Sequence, residues 1–245
     1  MNICVTKNPK ELGASAALKI AALLQEAIKV NGYARLLLST GASQFETISS
    51  LIKQKVDWSK VEMFHLDEYV GLPEKHKASF RSYLKKRFTS KVNLKAAHFV
   101  DGEGDVDAAI AILNKELAKA PIDVGVIGIG ENAHIAFNDH PANFKTKKSY
   151  ILVKLDKKCK QQQVREGWFE NEADVPSTAI TITPYAIMKC RHIISSVPFK
   201  VKADAVMNTL TKKVSPNIPA SILKTHPDWH LYLDAESAAK VFPLK

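Results

Sequence analysis

The chain has 245 residues, 46% of them hydrophobic and 24% charged, and its 35 Lys and Arg against 25 Asp and Glu give a formal net charge of +10. This is ordinary globular composition with enough residues for one substantial core, so we expect a single domain over residues 1–245. No apolar stretch reaches the roughly 18 residues that cross a bilayer, and the N-terminus has no signal-peptide pattern. We therefore expect a cytoplasmic protein without a membrane partner.

The positive charge could serve nucleic acid, acidic lipid or a phosphorylated small molecule. The lysines are scattered, with no aromatic-interleaved basic stripe and no recognisable nucleic-acid-binding motif, which favours a solvated basic surface and no nucleic-acid partner. The three cysteines, Cys4, Cys159 and Cys190, lie far apart without a CxxC pair. They predict neither a disulfide framework nor a thiolate metal site.

Eight apolar runs predict buried strands, at residues 3–5, 36–38, 61–66, 124–129, 151–155, 179–182, 192–197 and 231–233. Apolar residues at helical spacing lie between them, at positions 20, 23, 24, 27 and 28, at 45, 48 and 52, and at 109, 112 and 113. This alternation predicts an α/β fold, with a mostly parallel sheet covered by helices on both faces. Ligands bind outside the carboxyl ends of such strands, so candidate sites follow each run directly.

The turn Ser-Thr-Gly-Ala-Ser at residues 39–43 follows the second run and leads into a helix. Backbone N–H groups of Thr40, Gly41 and Ala42, together with the Ser43 hydroxyl, could surround a phosphate at the positive end of that helix. A simple N-cap is the alternative. The turn lacks the Gly-Lys-Ser/Thr ending of a P-loop, and the chain has no GxGxxG.

Two adjacent carboxylates, Asp67 and Glu68, follow the third run, just before the turn at Gly71. On their own they could serve acid–base chemistry or cap that turn. After the fourth run, Gly128 and Gly130 are expected to let the backbone turn tightly. Four polar residues come next: Glu131, Asn132, His134 and Asp139.

A histidine flanked by carboxylates can be held in one tautomer and act in a proton relay, although an ordinary surface loop is the alternative reading. The segment has neither HExxH nor a closely spaced second histidine, so it predicts no metal site.

Three segments in this order, STGAS, HLDEYVGL and GIGENAHIAFND, resemble the glucosamine-6-phosphate deaminase/isomerase family. The resemblance continues through VPSTAITIT, VKADAV and IPASILKTHP and so covers nearly the whole chain. The related 6-phosphogluconolactonases typically have Asp-Glu-Arg where this chain has Asp67-Glu68-Tyr69, which makes the deaminases the better match. The resemblance implies a Rossmann-like fold of the kind also found in ribose-5-phosphate isomerases and CoA transferases.

The resemblance also implies a reaction. The family opens the ring of a 2-amino-2-deoxyhexose 6-phosphate, moves a proton from C2 to C1 and releases ammonia, without a cofactor. Glucosamine 6-phosphate is the expected substrate, and galactosamine 6-phosphate is the alternative. Asp67 would be the base, since partial desolvation raises the basicity of a carboxylate. Glu68 would lie beside it as a positioning or substrate-contacting group.

His134 resembles the family's ring-opening catalyst, but its neighbours depart from the usual pattern. Asn132 stands where many members have Asp, Asp139 where they have Glu, and Ala133 where Gly is common. Asn132 can still form a hydrogen bond but has no charge, and Asp139 keeps the charge on a shorter side chain. Glu131, displaced by one position, could compensate for the missing carboxylate at position 132.

For the phosphate, the resemblance points to the turn at residues 41–43 and to the ammonium of Lys202, with Arg165 as a second cation. Solvated surface residues are the alternative for both. Trp168 and Phe169 could belong to a mobile lid or could anchor the core.

Two other functions stay open: hydrolysis of 6-phosphogluconolactone, with His134 activating water, and sugar-phosphate sensing without catalysis. Transcription regulators with this fold usually have a winged helix ahead of the sensor, whereas we expect the first strand here to begin by Ile3, which leaves a stand-alone sensor as the form of this alternative. We expect a monomer or small homo-oligomer.

Overall fold

The computed structural model describes residues 1–242, except for the side chain of Lys158. Within these residues the chain forms ten strands, β1 Asn2–Thr6, β2 Ala34–Leu38, β3 Val61–His65, β4 Asp67–Tyr69, β5 Ala96–His98, β6 Val124–Val126, β7 Tyr150–Lys154, β8 Thr178–Ile182, β9 His192–Val197 and β10 Trp229–Asp234. The eight α-helices in the same range, which short 3₁₀ and π helices supplement, are α1 Pro9–Asn31, α2 Phe45–Leu51, α3 Phe80–Leu84, α4 Val106–Ala118, α5 Lys157–Arg165, α6 Pro184–Ile187, α7 Ala203–Thr211 and α8 Ala235–Ala238.

Seven strands form one parallel sheet in the order β1-β10-β9-β6-β2-β3-β5, which confirms the predicted α/β class. Side chains of its central strands alternate between two cores. Leu37 and Phe64 join one apolar cluster, whereas Leu36 and Met63 join the other. Because both faces are buried, these strands read as continuous apolar runs.

Two of the predicted strands lie outside this sheet. β7 and β8 pair antiparallel with each other, and β8 pairs antiparallel with β4, to form a separate three-stranded sheet. One face of β7 is open to solvent, and Leu152 on it is half exposed. Antiparallel sheets commonly have one solvated face. The apolar runs located both strands but could not show which sheet they join.

The longest helix, α1, begins and ends at residues suited to those positions. The Asn8 side chain accepts a hydrogen bond from the backbone N–H of Glu11 at 2.9 Å, and Pro9 occupies the first turn, where its missing N–H costs nothing. Gly32 ends the helix at φ +80°, a left-handed conformation that glycine adopts without strain. In α4 the predicted buried face is partly wrong, because Ile112 is exposed.

The chain leaves the parallel sheet just before the acidic pair. β3 ends at His65, and Asp67 begins β4, opposite Thr181 of β8. The pair therefore belongs to the start of a second strand and does not continue the first. Successive side chains of a strand point to opposite faces, so Asp67 and Glu68 face different surroundings. None of the helices in residues 1–242 combines the length and apolar character needed to cross a membrane.

Candidate active site

A cavity of about 390 Å³ lies at the carboxyl ends of four neighbouring strands, β9, β6, β2 and β3. Its volume falls within the roughly 300–1,000 Å³ of typical ligand pockets. Nine of the predicted site residues line it: Thr40, Gly41, Ala42, Ser43, Asp67, Glu131, His134, Arg165 and Lys202. Three predicted residues, Glu68, Asn132 and Asp139, are not part of the lining.

The turn after β2 is shaped by Gly41, whose φ of +95° favours glycine. Its carbonyl accepts hydrogen bonds from the Tyr83 hydroxyl at 2.9 Å and from the backbone N–H of Gln44 at 3.1 Å. These two bonds fix the turn, and Ser43 then contributes to the cavity wall.

Asp67 is 6% exposed and lies in the cavity wall. Burial raises the pKa of its carboxyl to about 8, the negative charge of Glu68 adds to the rise, and a backbone N–H of Phe137 opposes it. A carboxylate with such a pKa is a stronger base than an exposed one, so this position suits proton abstraction near neutral pH.

Glu68 is fully buried and organises the loop that follows β4. Its carboxylate accepts hydrogen bonds from the Ser79 hydroxyl and the Arg81 N–H, each at 2.8 Å, and from the Phe80 N–H at 3.2 Å. The Arg81 guanidinium lies 3.4 Å away. Burial raises the pKa of Glu68, and these donors oppose the rise. Glu68 thus contacts the start of α3 and stabilises the segment beside the cavity.

His134 is held from behind by Asn132 and Asp139. Its Nδ1 lies 2.5 Å from Asn132 Oδ1 and 3.4 Å from Asp139 Oδ1, and the Asn132 amide donates to Asp139 Oδ1 at 3.1 Å. With Asn132 Oδ1 as acceptor, Nδ1 carries the proton and Nε2 is left as the basic nitrogen. Burial lowers the pKa of His134, Asp139 opposes the shift, and Lys202 adds to it. A neutral imidazole is thereby favoured.

Of the two glycines before His134, Gly130 is required for space, and it also begins the expected tight turn, because its carbonyl accepts a hydrogen bond from the Ala133 N–H at 3.0 Å. Neither has a positive φ. A Cβ at Gly130 would lie 2.1 to 2.4 Å from three atoms of the His134 ring. A Cβ at Gly128 would lie over the polar atoms of the turn after β2. The positive φ values in this segment belong to Ala133 and Ala136.

Lys202 is 7% exposed, and its ammonium makes no hydrogen bond or ion pair with any side chain that the structure describes. Burial lowers its pKa, while Glu166 and Glu131 oppose the shift. The turn that carries Lys202 starts at Phe199, which has φ +83° and ψ 143°, a strained conformation for a residue with a side chain. The Phe199 N–H donates to Asp234 Oδ2 at 3.0 Å.

The segment from α5 onward covers one side of the cavity. Arg165, at the end of α5, is largely exposed and forms an ion pair with Glu131. Trp168 also lines the cavity. Phe169 is buried among the aromatic rings of Tyr69 and His76, so it anchors the core, as one of the two sequence interpretations had it.

Comparison with known proteins identifies the family. The family model described as glucosamine-6-phosphate isomerases/6-phosphogluconolactonase matches residues 7–231. The chain belongs to this family. It is 33% identical over 238 residues to proteins named glucosamine-6-phosphate deaminase from Bacillus cereus (strain B4264) and Bacillus thuringiensis (strain Al Hakam). Each match covers 97% of this chain and 88% of the relative.

Solved structures of family members superpose closely. A structure described as a monomeric glucosamine-6-phosphate deaminase, a missing link of the NagB superfamily, matches with a TM-score of 0.88 and 26% identity, covering 98% of this chain and 100% of the other. A 6-phosphogluconolactonase from Trypanosoma brucei matches with a TM-score of 0.81, 16% identity and 98% coverage of both chains. The second likeness shows the fold only.

Some cavity residues of this family member were missed by sequence reasoning. They include Phe199, Gln162, Gln163 and Glu166. Ser39 was part of the predicted turn at residues 39–43 but was given no role there. Phe199 could not have been predicted, because nothing in the neighbouring sequence indicates a positive φ. In the part of the chain that the structure describes, no group of three or more His, Cys, Asp or Glu could hold a metal ion.

Proposed function

We propose that this family member is a glucosamine-6-phosphate deaminase, which converts its substrate to a ketohexose 6-phosphate and ammonia. One observation carries the proposal. A single cavity brings together a carboxyl of raised pKa, a histidine with a free basic nitrogen and an ammonium that makes no ion pair with the described residues, contributed by Asp67, His134 and Lys202. The relatives named as deaminases support the same reaction.

The phosphate would bind between Lys202 and the turn at residues 41–43. The Lys202 side chain is largely buried but lines the cavity, and a phosphate dianion there would supply a counter-charge for its ammonium. The ammonium acts there as a point charge, while the turn contributes N–H and hydroxyl donors. Arg165 is a second cation once its ion pair with Glu131 opens.

Ring opening falls to His134. Its Nε2 takes the proton from the anomeric hydroxyl and returns one to the ring oxygen, which breaks the C1–O5 bond and gives the open-chain aldehyde. The Nδ1–H bond to Asn132 keeps the ring in the required tautomer. Asp139 acts on the imidazole mainly through the Asn132 amide, because its oxygen is closer to that amide than to Nδ1.

Asp67 then moves the proton between carbons. Its carboxylate removes the C2 proton while the aldehyde oxygen takes a proton from water, which gives an enolamine, and the carboxyl then returns its proton to C1, which leaves an iminium at C2. The hydroxide left by that water adds to the iminium carbon and ammonia leaves, so the products are ketohexose 6-phosphate and ammonia. The chemistry requires no redox group or nucleotide.

We further propose that the enzyme works in amino-sugar catabolism, in the cytoplasm, as a monomer or small homo-oligomer. The monomeric state of a relative that superposes over nearly the whole chain supports the last point.

The test measures ammonia release from glucosamine 6-phosphate and galactosamine 6-phosphate without added metal or nucleotide, beside hydrolysis of 6-phosphogluconolactone. Ammonia release from glucosamine 6-phosphate is expected to be the fastest of the three. Hydrolysis of the lactone alone would show a lactonase. Calorimetric binding of the sugar phosphates with no turnover of any would show a sensor.

A further inference from the structure

Three polar side-chain atoms lie near Gly128; Ser39, Ser43 and Gly128 line the cavity, and the fully buried Gln44 lies next to them outside the lining. Measured from the point that a Cβ on Gly128 would occupy, Gln44 Nε2 is 3.4 Å away, and the Ser39 and Ser43 hydroxyl oxygens are each 4.0 Å away. We call the three polar residues and Gly128 the cavity floor.

The orientation of the Gln44 amide is fixed by its neighbours. Gln44 is fully buried, and its Nε2 donates to the Ser196 carbonyl oxygen at 3.2 Å and to the Ser43 hydroxyl oxygen at 3.1 Å. A carbonyl oxygen can only accept, so the NH₂ group and not the amide oxygen must face Ser196. Both amide hydrogens are then used, one on each partner.

This orientation decides what the Ser43 hydroxyl can do. A serine hydroxyl has one hydrogen to donate and two lone pairs to accept with. Because one lone pair of Ser43 already accepts from Gln44, its hydrogen points elsewhere, and Ser43 lines the cavity. Ser39 adds a second hydroxyl, 4% exposed and without a hydrogen-bond partner among the described residues. A buried hydroxyl of this kind normally has a partner.

We propose that Gln44 is a positioning residue that turns the Ser43 hydroxyl into a hydrogen-bond donor toward the substrate phosphate, and that Ser39 and Gly128 complete the floor of that phosphate subsite. This inference rests on the proposed function. A phosphate dianion can only accept hydrogen bonds, so hydroxyl groups that donate suit it. The floor binds one end of the phosphate through neutral donors, while Lys202 provides the charge.

The test is calorimetric binding of inorganic phosphate to the purified full-length protein, which requires no turnover. Ser43→Ala should weaken binding roughly ten- to hundred-fold, the range for a lost hydrogen bond to a charged group. Gln44→Met, which keeps the volume but cannot donate, should weaken it by at least several-fold. The double variant should bind no more weakly than Ser43→Ala, because Gln44 acts through that hydroxyl. Gln25→Met, on the exposed side of α1, is the control and should bind like the wild type.

Gly128→Ala tests the floor even if Gln44→Met does not fold. Its new methyl group would meet Gln44 at 3.4 Å, an ordinary contact, and Gly128 has no positive φ, so the fold should be kept. Phosphate binding should nevertheless fall, because the methyl group occupies space beside the Ser39 and Ser43 hydroxyls. Unchanged phosphate affinity in Gly128→Ala, or additive losses in the double variant, would overturn the inference while leaving the deaminase proposal in place. Failure of the wild type to bind phosphate or hexosamine 6-phosphate would overturn both.

Discussion

Replacing Asp67 with asparagine should stabilise the protein and inactivate it. The buried carboxyl has a pKa of about 8, against 3.8 for an ordinary aspartate. Between these two values the unfolded chain releases the proton and the folded protein keeps it. Because the folded state then binds more protons, the free energy of unfolding falls as the pH rises.

The size of the effect follows from the two pKa values. Each unit of difference corresponds to about 1.36 kcal/mol, so a shift of about four units lowers the free energy of unfolding by roughly 5 kcal/mol once the pH has passed 8. Asparagine has nearly the same shape and carries no charge at any pH. Asp67→Asn should therefore match the wild type near pH 4 and exceed it increasingly up to pH 8.

Urea unfolding of both proteins at pH 4, 6 and 8 measures this difference, with Asp107→Asn on the exposed surface of α4 as the control. The same variant should lose about 10²- to 10⁴-fold in deamination and should no longer exchange the C2 proton with solvent. In the wild type kcat/KM should rise with pH toward 8, since only the ionised carboxylate is a base. A pH-independent stability difference, or C2 exchange that survives in the variant, would show that Asp67 is an ordinary structural carboxylate.

Three further predictions concern the rest of the cavity. Lys202→Met should weaken substrate binding by roughly 1.5–3 kcal/mol and remove the preference for phosphorylated over free sugar. The control variant Lys200→Met, at an exposed position, should change neither property. An unchanged Michaelis constant in Lys202→Met would place Lys202 outside the phosphate site. His134→Gln should slow deamination of the cyclic substrate far more than that of an open-chain analogue, and equal losses on both would exclude a role in ring opening. The free energy of unfolding of Phe199→Gly should be about 1 kcal/mol higher than that of Phe199→Ala. Both variants lose the aromatic ring, but only glycine adopts a φ of +83° without strain. A lower melting temperature for Phe199→Gly than for Phe199→Ala would contradict the strain.

The apolar runs located the strands, but not all of these strands are buried as predicted, because β1 at the edge of the sheet is mostly exposed. All eight apolar runs overlap an observed strand. The two strands that were missed, β4 and β5, have three residues each, and their sequences Asp-Glu-Tyr and Ala-Ala-His contain no apolar run. Sheet membership was harder, because β7 and β8 look like members of the parallel sheet until their pairing partners are known. Pairing depends on contacts between distant residues, which no local pattern reports.

At the candidate site, position along the chain was easier to predict than the direction of a side chain. Residues within about five positions of the end of a strand of the parallel sheet reached the cavity, as Asp67 and Lys202 show. Glu68, its neighbour in the sequence, points to the opposite face of β4 and contacts the start of α3. Asn132 and Asp139 lie behind His134 because the loop folds back on itself. Their spacing alone could not distinguish residues that contact substrate from residues that hold the histidine.

The cavity contains several features that lower the stability of the empty protein. Ionised Asp67 is poorly solvated, the Lys202 ammonium has no described partner, and Phe199 is held in a strained conformation. Such features persist only when the surrounding structure enforces them, and they concentrate at functional sites. A bound hexosamine phosphate would remove one of them directly, since its phosphate would pair with Lys202. If the proposed function is right, part of the substrate's binding energy would come from relieving a cost that the fold itself imposes, and the bound phosphate would position the sugar against Asp67 and His134.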